Sequence, residues 1–210
     1  MNEFAFYLDL DGVCADYVGG FRNDHPEHQL DPALNRSSHL LPGSMSERKL
    51  AAYKLIAGTD FYARLPLMPG AVDIYNAIAK YDPVILTGAP KFGSGPDLYF
   101  LNPHWLGAAF HKRNWVETVL LPTAWEASEP DVWEIVLAMR RERRIRIPDE
   151  RFICTTSERK HEFMGRRPAK HQVIIDDRPD VIGSWEAAGG IGILHVDAET
   201  TVEKIENLTA

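Results

Sequence analysis

The stretch YLDLDGVCADY, residues 7–17, decides the fold, because an apolar run ends there in two aspartates. Residues 4–10 (FAFYLDL) have the nearly continuous apolar character of a strand that is buried on both faces of a parallel sheet. Asp9 and Asp11 are separated by one leucine, and Gly12 follows at once. A carboxylate at the end of a buried strand loses hydration, so it needs a compensating partner. The stretch therefore indicates a functional site at this strand end.

Apolar segments and helical patterns alternate along the rest of the chain. Further buried strands are predicted at residues 83–87, 151–155, 172–176 and 190–196. Helices are predicted at residues 71–81, 131–144 and 179–188, while residues 118–122 fit either a strand or a helix end. This alternation predicts a doubly wound α/β fold with a mainly parallel, Rossmann-like sheet.

Residues 14–67 interrupt the alternation. They contain no convincing buried strand and are rich in polar, aromatic and histidine residues, with helix-like patterns at 15–21 and 46–57. We expect a small helical cap inserted after the first strand, with residues 1–13 and 68–210 forming the core.

Composition and charge narrow the class of protein. The chain has 210 residues, of which 45% are hydrophobic, and a net charge of -7. The negative charge argues against a nucleic acid polymer or an anionic membrane as partner. The first residues carry no basic leader segment, and no apolar run reaches the ~20 residues of a membrane helix. Cys14 and Cys154 have no metal-site spacing, so we expect free thiols in a cytoplasmic protein.

Polar residues terminate three of the predicted strands. They are Asp9 and Asp11, Thr87 and Gly88, and Asp176 and Asp177. Ligands of open α/β sheets bind outside the carboxyl ends of the strands, so these residues are expected to meet at one edge. Several carboxylates at one edge would repel each other unless a hard cation such as Mg²⁺ and a phosphoryl group shared the site. The sequence therefore predicts a magnesium site and a phosphate ester as substrate.

The polar motifs occur in an order that resembles a known family. The segments DLDGV (9–13), LTG (86–88), a later lysine and IDDR (175–178) resemble the four motifs of the haloacid dehalogenase-like (HAD) phosphatases. Residues 61–71 (FYARLPLMPGA), which lead to VILTGAPK, and the insert after the first motif also resemble the 5′(3′)-deoxyribonucleotidase branch. The resemblance covers about two-thirds of the chain.

The resemblance implies roles for the first two motifs. Asp9 would be the nucleophile that forms an aspartyl-phosphate, and Asp11 would act as general acid and then as general base. Thr87 and the backbone N–H of Gly88 would bind phosphoryl oxygens.

The resemblance also implies a metal site. Mg²⁺ would be held by Asp9, by the backbone carbonyl of Asp11 and by Asp176, while Asp177 would orient a water molecule on the metal.

The lysine of the third motif has to be chosen between two positions. Lys170 precedes the strand that ends at Asp176, which puts it roughly 20 Å from the site at ~3.3 Å per residue. Lys160 follows the strand at residues 151–155 and lies at the correct end of it. We therefore expect Lys160 to neutralise charge on Asp9 and the phosphate, with Arg159 as a weaker substitute.

Aromatic residues in the insert are candidates for substrate binding. Phe21, Phe61 and Tyr62, together with Tyr17, are expected either to stack a nucleobase or to form the insert's own small core.

Other conspicuous side chains are expected at the surface. The arginines within residues 140–146 are predicted to form a solvated helix face, and His25, His28 and His39 have no ligand spacing that would indicate a metal site.

The motifs and the family resemblance together imply a Mg²⁺-dependent phosphomonoesterase, and the resemblance to the deoxyribonucleotidase branch implies nucleoside 5′-monophosphates or deoxyribonucleotides as substrates. Two alternatives remain open. One is a phosphatase or phosphotransferase for another small phosphorylated metabolite, and the other is an inactive nucleotide-binding protein. Association into a homodimer is left open as well.

Overall fold

A five-stranded parallel sheet forms the centre of the computed structural model, which describes residues 2–28, 45–89, 103–132 and 143–210. Its strands are β1 (Asn2–Leu8), β2 (Val84–Gly88), β3 (Phe152–Thr155), β4 (Ala169–Asp176) and β5 (Ile191–Leu194). Their order is β3-β2-β1-β4-β5, and every described pair is parallel. From the central strand β1 the chain adds β2 and β3 on one side of the sheet. It then crosses over and adds β4 and β5 on the other side of β1. The predicted α/β class with a parallel sheet is confirmed.

Helices connect and cover the strands. They are α1 (Tyr17–Asp24), α2 (Met45–Ile56), α3 (Ala71–Ala79), α4 (Pro103–Trp115), α5 (Leu121–Ser128), α6 (Pro179–Ala187) and α7 (Ala198–Thr209). A π-helical turn (Val116–Leu120) joins α4 to α5, so residues 118–122 are helical. Short 3₁₀ helices lie at Pro26–His28, Phe61–Ala63, Asp149–Arg151 and Ser157–Phe163. None of the helices within the described ranges is both long and apolar enough to cross a bilayer.

Two hydrophobic cores lie on the two faces of the sheet. Leu8 and Ile175 face the larger core, which is completed by side chains from α1, α3, α4, α5 and α7. Their neighbours Tyr7 and Ile174 face the smaller core, which contains Trp185 of α6. Because adjacent residues of one strand enter different cores, the strands are apolar almost without interruption.

Several predicted boundaries differ from the structure. Strand β4 begins at Ala169, three residues before its predicted start, and β5 ends at Leu194, two residues before its predicted end. Strand β1 ends at Leu8, two residues earlier than expected, although the N–H of Asp9 still donates to the carbonyl of Ile175 at 3.0 Å. The helix predicted at residues 131–144 is helical at 131–132, is outside the described residues at 133–142, and is not helical at 143–144. The C-terminal limit of that prediction is therefore wrong.

The two ends of the segment at residues 14–67 lie next to each other. The N–H of Met68 donates to the carbonyl of Cys14 at 2.8 Å, and the N–H of Asp16 donates to the carbonyl of Pro66 at 2.8 Å. The Asp16 carboxylate also caps α1 by accepting a hydrogen bond from the N–H of Gly19 at 2.8 Å. Residues 29–44 lie outside the described residues. The division into core and cap stays a prediction that this close pairing of the segment's ends favours.

Candidate active site

The polar residues predicted to converge lie at the carboxyl edge of the sheet. Asp9 directly follows β1, Thr87 and Gly88 end β2, and Asp176 ends β4. Strands β1 and β4 are adjacent, and the winding direction of the chain reverses between them. Such a reversal point forms the usual ligand-binding crevice of an open α/β sheet.

Lys160 joins the ends of β1 and β4. Its ammonium nitrogen lies 2.8 Å from Oδ1 of Asp9 and donates a hydrogen bond to Oδ2 of Asp176 at 2.6 Å. Lys160 is 1% exposed, Asp9 is 4% exposed and Asp176 is fully buried. Burial alone would lower the pKa of Lys160, but the two carboxylates outweigh it and raise that pKa above its ordinary value. Lys160 therefore remains a cation inside the site.

The Asp176 carboxyl experiences the opposite effect. Burial raises the pKa of Asp176 above its ordinary value, and the Lys160 ammonium opposes that shift. Its second oxygen, Oδ1, accepts a hydrogen bond from the backbone N–H of Arg178 at 3.0 Å. Both oxygens of Asp176 are thus held in fixed positions by neighbours at the sheet edge.

A second buried lysine, which the sequence analysis missed, lies at the same edge. The ammonium of Lys112, on α4, lies 2.5 Å from Oδ2 of Asp11, 3.1 Å from Oγ1 of Thr87 and 2.6 Å from the carbonyl oxygen of Gly88. It is 1% exposed, and it sits 4.8 Å above the centre of the Tyr62 ring. Lys112 therefore links the first and second motifs.

A sequence signal for Lys112 exists in the periodicity of α4. Ala108, Lys112 and Trp115 are spaced as residues on one helix face, and all three are buried. A lysine at a core-facing position of an otherwise apolar stripe indicates that its ammonium has a buried partner.

The two lysines approach the edge from opposite layers. Lys112 is carried by α4, whose buried residues belong to the larger core. Lys160 is carried by the 3₁₀ helix Ser157–Phe163, which packs against α6 beside the smaller core. A group bound beyond the strand ends would therefore have an ammonium group on each side.

Asp11 is held by Lys112 and not by the carboxylate cluster. Burial raises the pKa of the Asp11 carboxyl above its ordinary value, Lys112 opposes the shift, and the nearby charge of Asp9 adds to it. Its other oxygen, Oδ1, is buried and accepts no hydrogen bond from the described residues. Asp11 is therefore a candidate proton donor and acceptor.

Gly12 allows the first motif to turn closely against the fourth. It adopts a φ of +83°, which strongly favours glycine. A β-carbon at this position would also lie 2.9 Å from the carboxyl carbon of Asp177. Asp177 is thereby brought next to the turn that follows Asp9.

Three carboxylates at the edge are arranged so that they could hold a metal ion. One ligand oxygen from each of Asp9, Asp176 and Asp177 lies within 4.8 Å of the others. Among the described residues this is the one group of acidic, histidine or cysteine side chains with that geometry. All three donors are hard oxygen atoms, which is the donor set that Mg²⁺ takes.

The aromatic residues of the segment at 14–67 form one cluster beside Lys112. Tyr17 contacts Phe61 with ring centres 5.4 Å apart, Phe61 contacts Tyr62 at 5.3 Å, and Phe21 lies 6.2 Å from Phe61. Phe21 and Phe61 are almost completely buried within the core. Tyr62 is the member whose ring faces the Lys112 ammonium. Stacking of a base on Phe21, Phe61 or Tyr62 stays a prediction, and each of these rings already has aromatic neighbours.

Two alternatives for the catalytic lysine lie elsewhere. Lys170 is near the beginning of β4, whereas Asp176 is at its end. Arg159 pairs with Glu162 at 2.7 Å on the protein surface.

The basic run predicted as a solvated helix face has a different role. Arg144 and Arg146 lie 2.5 Å and 3.3 Å from the fully buried carboxylate of Glu117, and Arg113 lies 3.2 Å from it. The helix part of the prediction is wrong for Arg143, Arg144 and Arg146, which lie in no helix. The buried acid in the π-helical turn holds Arg144 largely out of solvent, whereas Arg146 stays exposed as predicted. Residues 140–142 lie outside the described residues.

The prediction of free thiols is confirmed for both cysteines. Cys14 and Cys154 are free thiols, the first buried and the second partly buried. His25 and His28 are partly exposed and belong to no metal-binding group of the described residues. His39 lies outside those residues.

Comparison with known proteins gives a distant structural likeness. No family model matches the chain, and no curated protein sequence matches it significantly. A solved structure from Burkholderia xenovorans LB400, provisionally assigned as a haloacid dehalogenase-like hydrolase, aligns with a TM-score of 0.41 and 14% identity. The alignment covers 92% of this chain and 81% of that chain. A likeness at this level carries no conclusion about activity.

Proposed function

We propose that this protein is a Mg²⁺-dependent phosphomonoesterase of the HAD superfamily, in which Asp9 accepts the phosphoryl group. One observation carries the proposal: the buried Asp9 carboxylate lies 2.8 Å from the buried Lys160 ammonium, at the sheet edge that also presents Thr87 and Asp176. A buried charge cluster of this kind costs free energy that a purely structural role does not require. Perturbed titratable groups in a crevice favour a catalytic role.

The chemistry assigned to Asp9 and Asp11 proceeds in two steps. In the first step an Asp9 oxygen forms a bond to phosphorus, the bond from phosphorus to the ester oxygen breaks, and Asp11 gives its proton to that oxygen. In the second step Asp11 takes a proton from water, whose oxygen attacks phosphorus and releases phosphate from Asp9. The raised pKa of Asp11 favours the protonated carboxyl with which the first step begins.

The lysines and Thr87 supply electrostatic stabilisation. Negative charge on the phosphoryl oxygens is distributed between the Lys160 side and the Lys112 side of the edge. Both ammonium groups are buried and fixed by carboxylates, so little reorganisation is needed when the charge develops. The Thr87 hydroxyl accepts from Lys112, which leaves its own proton available for a phosphoryl oxygen.

Asp9, Asp176 and Asp177 would hold the magnesium ion, together with the backbone carbonyl of Asp11. When bound, Mg²⁺ supplies positive charge to the phosphoryl group and offsets repulsion among the carboxylates. Two cations, Lys160 and Lys112, already contact Asp9, Asp176 and Asp11.

We propose nucleoside 5′-monophosphates or deoxyribonucleotides as the substrate class. The support is the aromatic cluster beside Lys112, whose partly exposed member Tyr17 lies 6.2 Å from the Tyr62 ring that faces the ammonium. A base stacked against such a ring gains about 1–3 kcal/mol. Residues 14–67 would then act as a cap that selects the leaving group.

A screen of nucleotides and sugar phosphates with and without Mg²⁺ tests the proposal. We expect phosphate release that requires Mg²⁺ and falls more than about a thousandfold in Asp9→Asn. Addition of an alcohol acceptor distinguishes hydrolysis from phosphoryl transfer. Equal, near-zero release by the wild type and Asp9→Asn across the panel would favour a nucleotide-binding protein without catalysis.

A further inference from the structure

A serine hydroxyl fills the space where Gly88 would carry a side chain. A β-carbon placed on Gly88 would lie 3.0 Å from Oγ of Ser157, which is tighter than an ordinary contact. Gly88 is not among the described glycines with positive φ, so its backbone conformation does not require glycine. The Ser157 hydroxyl is therefore the group that would crowd a side chain next to Thr87.

The position of Ser157 ties it to the site from two directions. Strands β2 and β3 pair Gly88 with Thr155, and the N–H of Ala89 donates to the carbonyl of Thr155 at 2.8 Å. Two residues later, Ser157 begins the 3₁₀ helix that carries Lys160. A 3₁₀ helix has three residues per turn, so side chains at positions i and i+3 lie above one another. Ser157 and Lys160 therefore project from the same side of that helix.

The turn before this helix contains two further hydroxyl groups that make no hydrogen bond to the described residues. Thr155 and Thr156 are 1% and 3% exposed, and the hydroxyl oxygens of both lack a hydrogen-bond partner among the described residues. Thr156 also occupies the position before the helix without capping it through its side chain. Buried polar atoms are normally satisfied, so an unsatisfied pair next to a crevice indicates that a polar ligand approaches this turn.

We propose that Ser157 donates a hydrogen bond to the phosphoryl group bound at Thr87 and Gly88. Ser157, which follows β3, thus provides the side-chain hydrogen-bond donor that Gly88 on β2 cannot provide, because glycine has no side chain. Ser157 is partly exposed, so its hydroxyl is accessible to a ligand at the edge. This inference rests on the proposed phosphatase function and assigns a phosphoryl contact to a residue outside the sequence motifs.

Transfer of the hydroxyl from one strand to the other provides the test. Ser157→Ala removes the hydroxyl, and Gly88→Ser combined with Ser157→Ala places a hydroxyl on β2 while it removes the crowding atom. Ser184→Ala is the matched control, because its hydroxyl bonds the carbonyl of Asp180 at 2.9 Å on the exposed side of α6. For each variant we would measure kcat and KM with the best ester of the screen, the Kd of inorganic phosphate with Mg²⁺, and Tm.

We expect Ser157→Ala to weaken kcat/KM and phosphate affinity about tenfold each, as loss of one hydrogen bond to a charged group does. The double variant should recover most of both losses, and Ser184→Ala should match the wild type. The inference would be overturned if kcat/KM and phosphate affinity of Ser157→Ala were within about twofold of the wild type. It would also be overturned if both losses were accompanied by a lower Tm and were not restored in the double variant. If the wild type hydrolyses no ester, the proposed function fails, while phosphate affinity still tests Ser157.

Discussion

Gly12 and Asp177 touch across the site, although 164 residues separate them in the chain: a β-carbon on Gly12 would overlap the Asp177 carboxylate. This contact joins the turn after β1 to the residue after β4. It also makes the position of Asp177, and with it the proposed metal site, dependent on the absence of a side chain at Gly12.

Gly12→Ala should therefore destabilise the protein and weaken Mg²⁺ binding. The left-handed φ and the overlap act together, and we expect a loss of about 2–4 kcal/mol in the free energy of unfolding. Gly165→Ala is a matched control, because Gly165 has a φ of +81° and no atom of the described residues within 4 Å of its β-carbon position. Urea unfolding and Mg²⁺ titration measure the two effects. Equal losses in both variants would show that Gly12 and Asp177 do not compete for space.

Lys160→Met should remove activity, whereas Lys170→Met should not. Lys160 contacts Asp9 and Asp176, and Lys170 lies near the opposite end of β4. We expect kcat/KM to fall about a hundredfold to a thousandfold in Lys160→Met. Circular dichroism at the assay temperature distinguishes lost chemistry from lost folding, because the two buried acids also lose their cation. A comparable loss in Lys170→Met would contradict the choice between the two lysines.

Lys112→Met should reduce catalysis more than it reduces stability. Its ammonium contacts Asp11, Thr87 and the carbonyl of Gly88, and Asp11 is partly exposed and can be hydrated when the lysine is gone. We expect kcat/KM to fall about a hundredfold. Lys204→Met is the control, since that lysine bonds only the exposed end of β5 in the contacts described. Steady-state kinetics and Tm would be compared, and unchanged kinetics in Lys112→Met would refute a role in catalysis.

Glu117 should make the stability of the protein depend on pH in the acidic range. Burial alone would raise the pKa of Glu117, but hydrogen bonds from Arg144 and Arg113 outweigh it and lower the pKa. Because the folded-state pKa is lowered, the ionised Glu117 stabilises the protein fully at pH values above the unfolded-state pKa of about 4.3. This stabilisation is lost as the pH falls through the folded-state pKa.

Glu117→Gln should therefore be less stable than the wild type at neutral pH, by on the order of 3 kcal/mol. Its deficit should shrink as pH falls below about 4. Glu162→Gln is the control, because Glu162 lies in an exposed pair with Arg159 and should change stability little. Urea unfolding between neutral and acidic pH gives the curves. A constant deficit of Glu117→Gln at all pH values would contradict the lowered pKa.

The sequence predicted those parts of the site that follow from strand direction. Asp9, Thr87 and Asp176 each end an apolar run, and parallel strands bring such ends together. Strand direction also distinguished Lys160, which follows the carboxyl end of β3, from Lys170, which lies near the beginning of β4. Strand limits were less accurate: β1 ends at Leu8, and the chain then turns at Gly12, which has a positive φ.

The parts that were missed depend on tertiary contacts. Lys112 lies on a helix whose apolar face would ordinarily carry no charge, and its partners come from β2 and the first motif. Glu117 attracts Arg144 and Arg146 from a segment that resembled a solvated helix in composition. Ser157 acquires significance only through its distance from Gly88, which no pattern in the sequence encodes.

Detection of phosphate on Asp9 tests the central claim most directly. The wild type would be mixed with a hydrolysed ester and Mg²⁺, quenched in acid during turnover, and digested for mass spectrometry. We predict one added phosphoryl group on the peptide that contains Asp9, and no such adduct in Asp9→Asn. The assignment of Asp9 as the nucleophile would be contradicted if the wild type hydrolysed the ester rapidly without forming the adduct and Asp9→Asn kept that activity.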